Sequence, residues 1–351
     1  MGALVLAFLL TSTILLVAGA PPFEAYEQIF LGAVGSLSSF SNVLVAWVPL
    51  LLAAAGVLVT FVAGLWNIGI EGQIVLGAIM TTWVLRLLQH TSLSPALIIV
   101  LAVLAGIIGG ALWAGLAGVL KTFGGVNEIF GGLGLNFVAT AVTLWLIFGP
   151  WKRPGIGSMS GTEPFPDNLA LPTVAGLRLS PWSLGLGILA VILVFVTLER
   201  TYFGLRLKAV GKNSRAAFLL GVPTWQYGLM AFLFCGGLAG LAGAVQVTGV
   251  YHRLIPSISS GYGFLGLMIG MLIAYRAVWV APVALFFAAL NIGSIQLPIV
   301  LKLDSTLSGV LQGALVLFVL LVEGARQRYM KRVRRGPAVT PVGAPPSSRE
   351  A

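Results

Sequence analysis

Cysteine and histidine are almost missing from this chain of 351 residues, which has one Cys and two His. Cys235 sits in an apolar run, so there is no disulfide framework, thiolate metal site or redox pair to build. His90 and His252 are far apart, lie near the ends of apolar runs and have no ligand-type neighbour, so they read as polar residues at an interface. Charge is scarce as well. Asp, Glu, Lys and Arg make up 9% of the residues, against roughly 25% in soluble globular domains. With 58% hydrophobic residues, a soluble domain is excluded. No Gly-x-x-x-x-Gly-Lys-Ser/Thr segment occurs, so the chain carries no phosphate-cradling loop of that kind. Clustered acids, histidines and nucleophiles at membrane depth are also absent, which removes the basis for an intramembrane enzyme. An ion-gradient transporter would want an ionisable residue deep in the bundle, and the sequence places none there.

The charge that remains is lopsided, with a net +10. Nucleic-acid binding does not account for it, because the basic residues flank apolar runs and lack the aromatic interleaving of such surfaces. Positive residues concentrate in short cytoplasmic loops of membrane proteins. The segment TYFGLRLKAVGKNSRAAFLLG, with Arg200 before it, holds Arg200, Arg206, Lys208, Lys212 and Arg215, offset only by Glu199. Its second half, Asn213 to Leu220, has no Gly or Pro and sets Ala216, Ala217 and Leu220 on one face of a short helix. A surface helix held by a membrane bundle suits docking of a soluble partner.

Ten apolar runs approach the ~20 residues needed to cross a bilayer. They fall near 2–20, 43–64, 72–89, 96–119, 129–149, 181–198, 226–248, 262–280, 281–300 and 306–323. The first resembles a secretory signal, but it has no basic start and no soluble sequence after it, so it reads as a retained span. That missing lead leaves open a start further upstream. Residues 1–323 thus form a transmembrane domain, with a cytoplasmic loop at about 199–224. Residues 324–351 form a basic, Pro/Ser-rich tail expected to be disordered and to suit an anionic inner leaflet. With both termini inside, fourteen of the twenty Lys and Arg face the cytoplasm, as the positive-inside bias requires.

Polar groups within spans point to function or to helix pairing. Asn136 lies in the middle of the fifth span, and Gln246, Asn291, Gln296 and Gln312 are further amides at depth. Uncharged amides both donate and accept, which suits a neutral hydroxyl-bearing solute; equally, they can bond one helix to another. Glu71 and Glu128, with Asn67 and Asn127 beside them, stand near cytoplasmic span ends and suit a gate or a partner contact. Gly106, Gly110 and Ala114 in one span, and Gly236, Gly240 and Ala244 in another, recur at four-residue spacing and read as packing faces. WNIGIEGQIVLGA (66–78) and SSGYGFLGLMIG (259–270) are both polar, Gly-containing bends leading into apolar helices, on opposite sides of the membrane. That pattern suggests an inverted repeat of two halves.

Five segments carry a family resemblance: NIGIEGQIVLGA (67–78), GGVNEIFGGLGLNFVA (124–139), GLRLKAVGKNSRAAFLLGV (204–222), GGLAGLAGA (236–244) and GYGFLGL (261–267). In this order they resemble the membrane subunits of bacterial ABC importers, in the ribose and branched-chain amino-acid permease class, and most of all nucleoside or simple-sugar permeases. The likeness runs from about residue 42 to 323. IGMLIAYRAVWVA (269–281) departs from it, lacking a Gly-Arg-Asn type turn. The resemblance implies an all-α multi-pass protein of the plasma membrane. It implies that the basic loop seats on a separate ATPase subunit, which would bind ATP and magnesium, with Gly211, Asn213, Ala216, Ala217 and Gly221 at the contact. It further implies a second permease subunit, the same or related, and an extracytoplasmic solute-binding protein. A branched-chain amino acid is the alternative cargo, although the deep amides offer no partners for its two charges.

Overall fold

A computed structural model describes residues 21–155, 161–273 and 276–302, with individual positions between 9 and 19 and between 309 and 324. Most of the predicted first and tenth spans, Gln312 and most of the basic tail lie outside the described residues. Among these residues every regular element is helical. In chain order the α-helices are α1 (Pro22–Val34), α2 (Leu37–Val62), α3 (Ile70–Leu88), α4 (Pro95–Thr122), α5 (Glu128–Phe148), α6 (Pro181–Arg200), α7 (Tyr202–Lys212), α8 (Ser214–Leu219), α9 (Thr224–Val245), α10 (Tyr262–Leu272), α11 (Val280–Gly293) and α12 (Gln296–Val300). A π-helical turn, Gln246–Tyr251, extends α9.

Seven helical stretches among the described residues are long and apolar enough to cross a bilayer, from α2 through to the stretch Ala277–Val300. Prolines at the first positions of α4 and α6 suit their starts, where a missing N–H costs nothing. Ser36 and Ser94 accept backbone N–H groups at the starts of α2 and α4. Two differences from the expected ten spans stand out. The run 262–280 is not a span: its helix, α10, has 11 residues and is about 16 Å long, half the ~30 Å hydrocarbon core. Counting apolar residues merged it with the next turn, because no polar residue marks the break at Ile273 and Arg276 comes only three residues later. In addition, α1 is a helix of 13 residues that the span count passed over, since Glu24 and Glu27 make it too polar and it is too short.

Small residues build the centre. Gly110 packs on the Gly236 and Gly240 backbones, Gly106 on Ala244, Gly236 on Ala114, and Gly77 directly on Gly240. Lipid tails give helices no hydrophobic reason to associate, so close backbone approach supplies the attraction. Around this α3–α4–α9 core, α2 is buried along most of its length and carries α10 and α11 on its flank.

Packing on α9 also gives depth. At about 1.5 Å per residue, Cys235 and Gly243 lie about 16 and 28 Å from Thr224 on a helix that reaches Tyr251 after about 42 Å. Asn67 Nδ2 donates to Cys235 Sγ at 3.0 Å, and Gly243 lies against the Ile74 backbone. The start of α3 is therefore in the middle of the bundle. From there α3 crosses α9, with Gly77 on Gly240 and Thr81 beside Gly106. In turn, α10 runs the other way: Gly266 lies on Ala53 and Ala54, and Gly270 on Val57 and Phe61. Two helices thus begin at mid-depth and diverge.

Candidate functional site

The starts of α3 and α10 meet at one carboxylate. Glu71, on the first turn of α3, accepts the Gly261 N–H with Oε1 (3.1 Å) and the Gly263 N–H with Oε2 (2.8 Å). The first N–H groups of a helix have no partner within it, and Gly261 offers no side chain to cap α10. Glu71 supplies that cap from another helix. The approach requires glycine: a Cβ on Gly263 would fall 2.8 Å from the Glu71 Cα. Gly261 itself has φ of 74°, in the left-handed region that glycine tolerates. A negative group is favourable at a helix N-terminus, and here one carboxylate serves the starts of two.

Amides fix both strands of chain that lead into this junction. Asn67 and Gln73 bond reciprocally, Nδ2 to Oε1 at 3.0 Å and Nε2 to Oδ1 at 2.8 Å, both buried. From α5, Asn136 accepts the Gly72 N–H (2.8 Å) and donates to the Ile68 carbonyl (2.9 Å). On the other side Gln246 donates to the Ile258 carbonyl (3.2 Å). The loop after α5 closes over the return segment. Thr162 N–H reaches the Leu254 carbonyl (2.9 Å), Leu254 N–H the Thr162 hydroxyl (3.1 Å), and Phe165 N–H the His252 carbonyl (2.8 Å).

These contacts correct one expectation and decide another. Glu71 is not at a cytoplasmic span end but at mid-depth, so an ionisable residue does lie deep in the bundle. The error came from reading each apolar run as a full crossing, which put every run's first residue at a surface. For Asn136, helix bonding is the role the geometry gives, with both of its polar atoms engaged on the 68–72 turn. Asn67 belongs to the same buried network. Asn291 is half-buried on α11, away from the junction, next to the contact of Gly293 with Ile29 of α1. Glu128 pairs with Lys121 at the far end of α5 from Phe148, where Asn127 caps the helix by accepting the Ile129 N–H at 2.9 Å. These two do stand at a span end.

At that same end lies the basic segment, folded as two helices. Thr201 caps α7 (3.2 Å from Gly204 N) and Asn213 caps α8 (3.0 Å from Ala216 N). Lys208 pairs with Glu199 at 2.7 Å, and Arg206 donates to the Tyr227 hydroxyl at 3.2 Å. Gly211 packs so closely on the end of α2 that a Cβ would lie 3.0 Å from the Gly64 nitrogen and collide with the Val62 carbonyl. Gly221, with φ of 82°, turns the chain after α8 in open space. Ala217 is 3% exposed and faces the bundle, which corrects its expected place on a docking face. The outward residues are Ala216, Phe218, Leu219 and Leu220, the last three 64%, 80% and 83% exposed. Sequence reasoning chose the small residues of the helix for contact, but the small one was needed inside. A cavity of about 580 Å³ lies behind the segment, lined by Gly64, Lys121, Lys212, Asn213 and Trp225 among others.

A multi-pass helical membrane protein with two helix starts joined at one carboxylate inside the bundle and a capped, exposed helix at one end is the class these features define. The chain belongs to the family described as branched-chain amino acid transport system / permease component, whose model matches residues 39–320. It is 33% identical to the glucose ABC transporter permease protein TsgB13 of Haloferax volcanii, over 95% of this chain and 88% of the relative. The nucleoside ABC transporter permease protein NupB of Lactococcus lactis is 28% identical over 83% of this chain and 82% of its own length. For the guanosine ABC transporter permease protein NupP of Bacillus subtilis the figures are 26%, 90% and 91%. No solved structure matches the chain significantly.

Proposed function

We propose that this chain is the membrane subunit of an ATP-driven importer of a small neutral solute, a nucleoside or simple sugar. The observation that carries the reading is α8: a short helix with Phe218, Leu219 and Leu220 turned outward while Gly211 and Ala217 lock its base to the bundle. Such a lever has use only if another subunit moves it. ATP and magnesium would be bound by that subunit. Both termini and α8 face the cytoplasm, the 150–180 connection faces outward toward a solute-binding protein, and a second permease subunit completes the path. Gly211 transmits force without slack, because its backbone rests on Val62 and Gly64, and the chain runs from there to Asn67 and Glu71 at mid-depth. Helix starts meeting inside the bundle suit an arrangement in which inverted halves rock about a central site.

Glucose, nucleoside and guanosine in the names of the relatives support the cargo class. The junction supports it chemically. In many transporters half-helix N-termini take the carboxylate of an anionic substrate, but here Glu71 already fills that place. A branched-chain amino acid would find its carboxylate opposed by Glu71. The test is reconstitution: with its companion ATPase, second permease and binding protein, the chain should accumulate guanosine or glucose at the expense of ATP. Alone in liposomes it should neither hydrolyse ATP nor accumulate solute, and uptake by the isolated chain under a proton or sodium gradient would overturn the assignment.

A further inference from the structure

Resting on that reading, we propose that the exposed side of the Glu71 junction is a solute-contact site in a water-filled path, with Phe264 as its ring platform and Ser260 and Tyr251 as its hydroxyl partners. The first argument is the backbone. Residues 252–261 are non-helical and descend to mid-depth, and Ser260 and Gly261 remain partly exposed on this chain. Irregular backbone at membrane depth is not tolerated against lipid; it occurs only where protein covers it or water fills a cavity beside it. The second is the face. Positions 261, 264, 265, 268 and 271 fall on one side of α10, and that side is the exposed one, with Phe264 41% exposed. Buried Tyr262, Gly263, Gly266 and Gly270 take the opposite side, against α2 and Glu71.

Rigidity is the third argument. The segment is pinned from behind by Glu71, by Gln246 on the Ile258 carbonyl and by Thr162 on Leu254, so its exposed groups are held in place rather than waving. Ser260 has φ of 50° and its hydroxyl lies 3.2 Å from that of Tyr251. A serine in that backbone region needs the surrounding structure to hold it there, and such residues cluster at ligand contacts. An aromatic ring beside a hydroxyl pair suits a neutral, hydroxylated, ring-bearing solute. The ring stacks on a base or on the C–H face of a sugar, and the hydroxyls exchange bonds with those of the solute.

The test is cysteine accessibility in the complete transporter, since the chain's own Cys235 is fully buried. Phe264→Cys should react with a hydrophilic, membrane-impermeant maleimide, because a thiol in water ionises and one in lipid does not. Leu112→Cys, on the exposed face of α4 (65%), is the lipid control. Labelling of Phe264→Cys well above that control, slowed by guanosine or glucose, is the expected result. Labelling no faster than the control would place this face against lipid or the second permease subunit and overturn the proposal whatever the cargo is. Fast labelling that neither solute slows would also overturn the contact. Alongside, Phe264→Ala should raise KM for uptake roughly ten-fold, the size of one lost stacking contact, with complex yield unchanged; an unchanged KM counts against the site. Wild-type transporter that takes up neither solute would instead refute the cargo class, a failure visible before any variant is made.

Discussion

Replacing Glu71 by Gln is the most direct probe of how the two helix starts are held. The substitution preserves volume and shape but removes the charge and one acceptor. In the native arrangement each carboxylate oxygen takes one backbone N–H, from Gly261 and Gly263. A Gln amide can accept only one of these, and its NH₂ then faces the other N–H. A hydrogen bond to a charged group is worth about 1.5–3 kcal/mol, and an orphaned buried donor costs about 1–3 kcal/mol. Loss of the negative charge beside a helix N-terminus adds roughly 0.3–1 kcal/mol. The terms overlap, so about 2–4 kcal/mol is the expected loss, which is on the order of 30-fold or more in the folding equilibrium. The assay is the midpoint of thermal or denaturant-induced dissociation of the purified transporter, with uptake measured in parallel. Glu71→Gln should lower the midpoint clearly. Glu71→Asp, which keeps the charge but shortens the reach, should fall between. Equal stability of Glu71→Gln and wild type would refute the account of this carboxylate as the clamp.

Three further substitutions separate packing, docking and bonding. Gly77→Val puts a side chain into the Gly240 backbone, whose carbonyl carbon would lie 2.8 Å from the new Cβ; folded yield should collapse, while Gly134→Ala, in open space, should be near wild type. Leu219→Asp and Leu220→Asp should leave the chain folded and inserted but abolish ATPase-subunit pull-down and transport, whereas Ala217→Arg, at a buried position, should lower the yield of the chain itself. Asn136→Leu should cost roughly 0.6–2 kcal/mol per lost inter-helix bond in lipid, read as reduced complex yield, and normal yield with impaired uptake would return Asn136 to the path.

The sequence made the helical class, most spans and both bends legible because apolar length and glycine clusters are local signals. The α8 cap was equally local: Asn213 followed by a short run without Gly or Pro could be read as a helix start. What it could not convey was depth. Glu71 and Gly261 are 190 residues apart, and no periodicity on α3 tells that its first turn starts at mid-depth. Nor does any local feature distinguish Ala217, turned inward, from Ala216, turned outward, on a helix of six residues. The signal that was available is the coincidence of two Gly-rich bends with opposite topology and a single acid in one of them. A pair of helix starts buried in a bilayer needs an anion or a ligand, and Glu71 was the residue in the two bends that could provide one.

In the proposed reading, that origin of the anion bears on what kind of cargo the scaffold would move. A transporter whose half-helix N-termini are left bare depends on a charged substrate to complete them, and its junction is stable only when loaded. Here the junction needs no cargo to hold it, because the Gly261 and Gly263 N–H groups at the start of α10 already have Glu71. On the proposed path, a solute arriving beside Phe264 would meet a finished structure with the Glu71 carboxyl group close by. Neutral, hydroxylated molecules can bind there through stacking and exchangeable hydroxyls, at low cost in desolvation. Carboxylates and phosphates would have to be stripped of water next to a like charge, and the scaffold offers no free deep cation among the described residues to compensate. In the proposed reading, selectivity against anions would be set by the same residue that clamps the two helix starts. Removing Glu71 to admit an anionic solute would first dismantle the junction the solute is meant to cross.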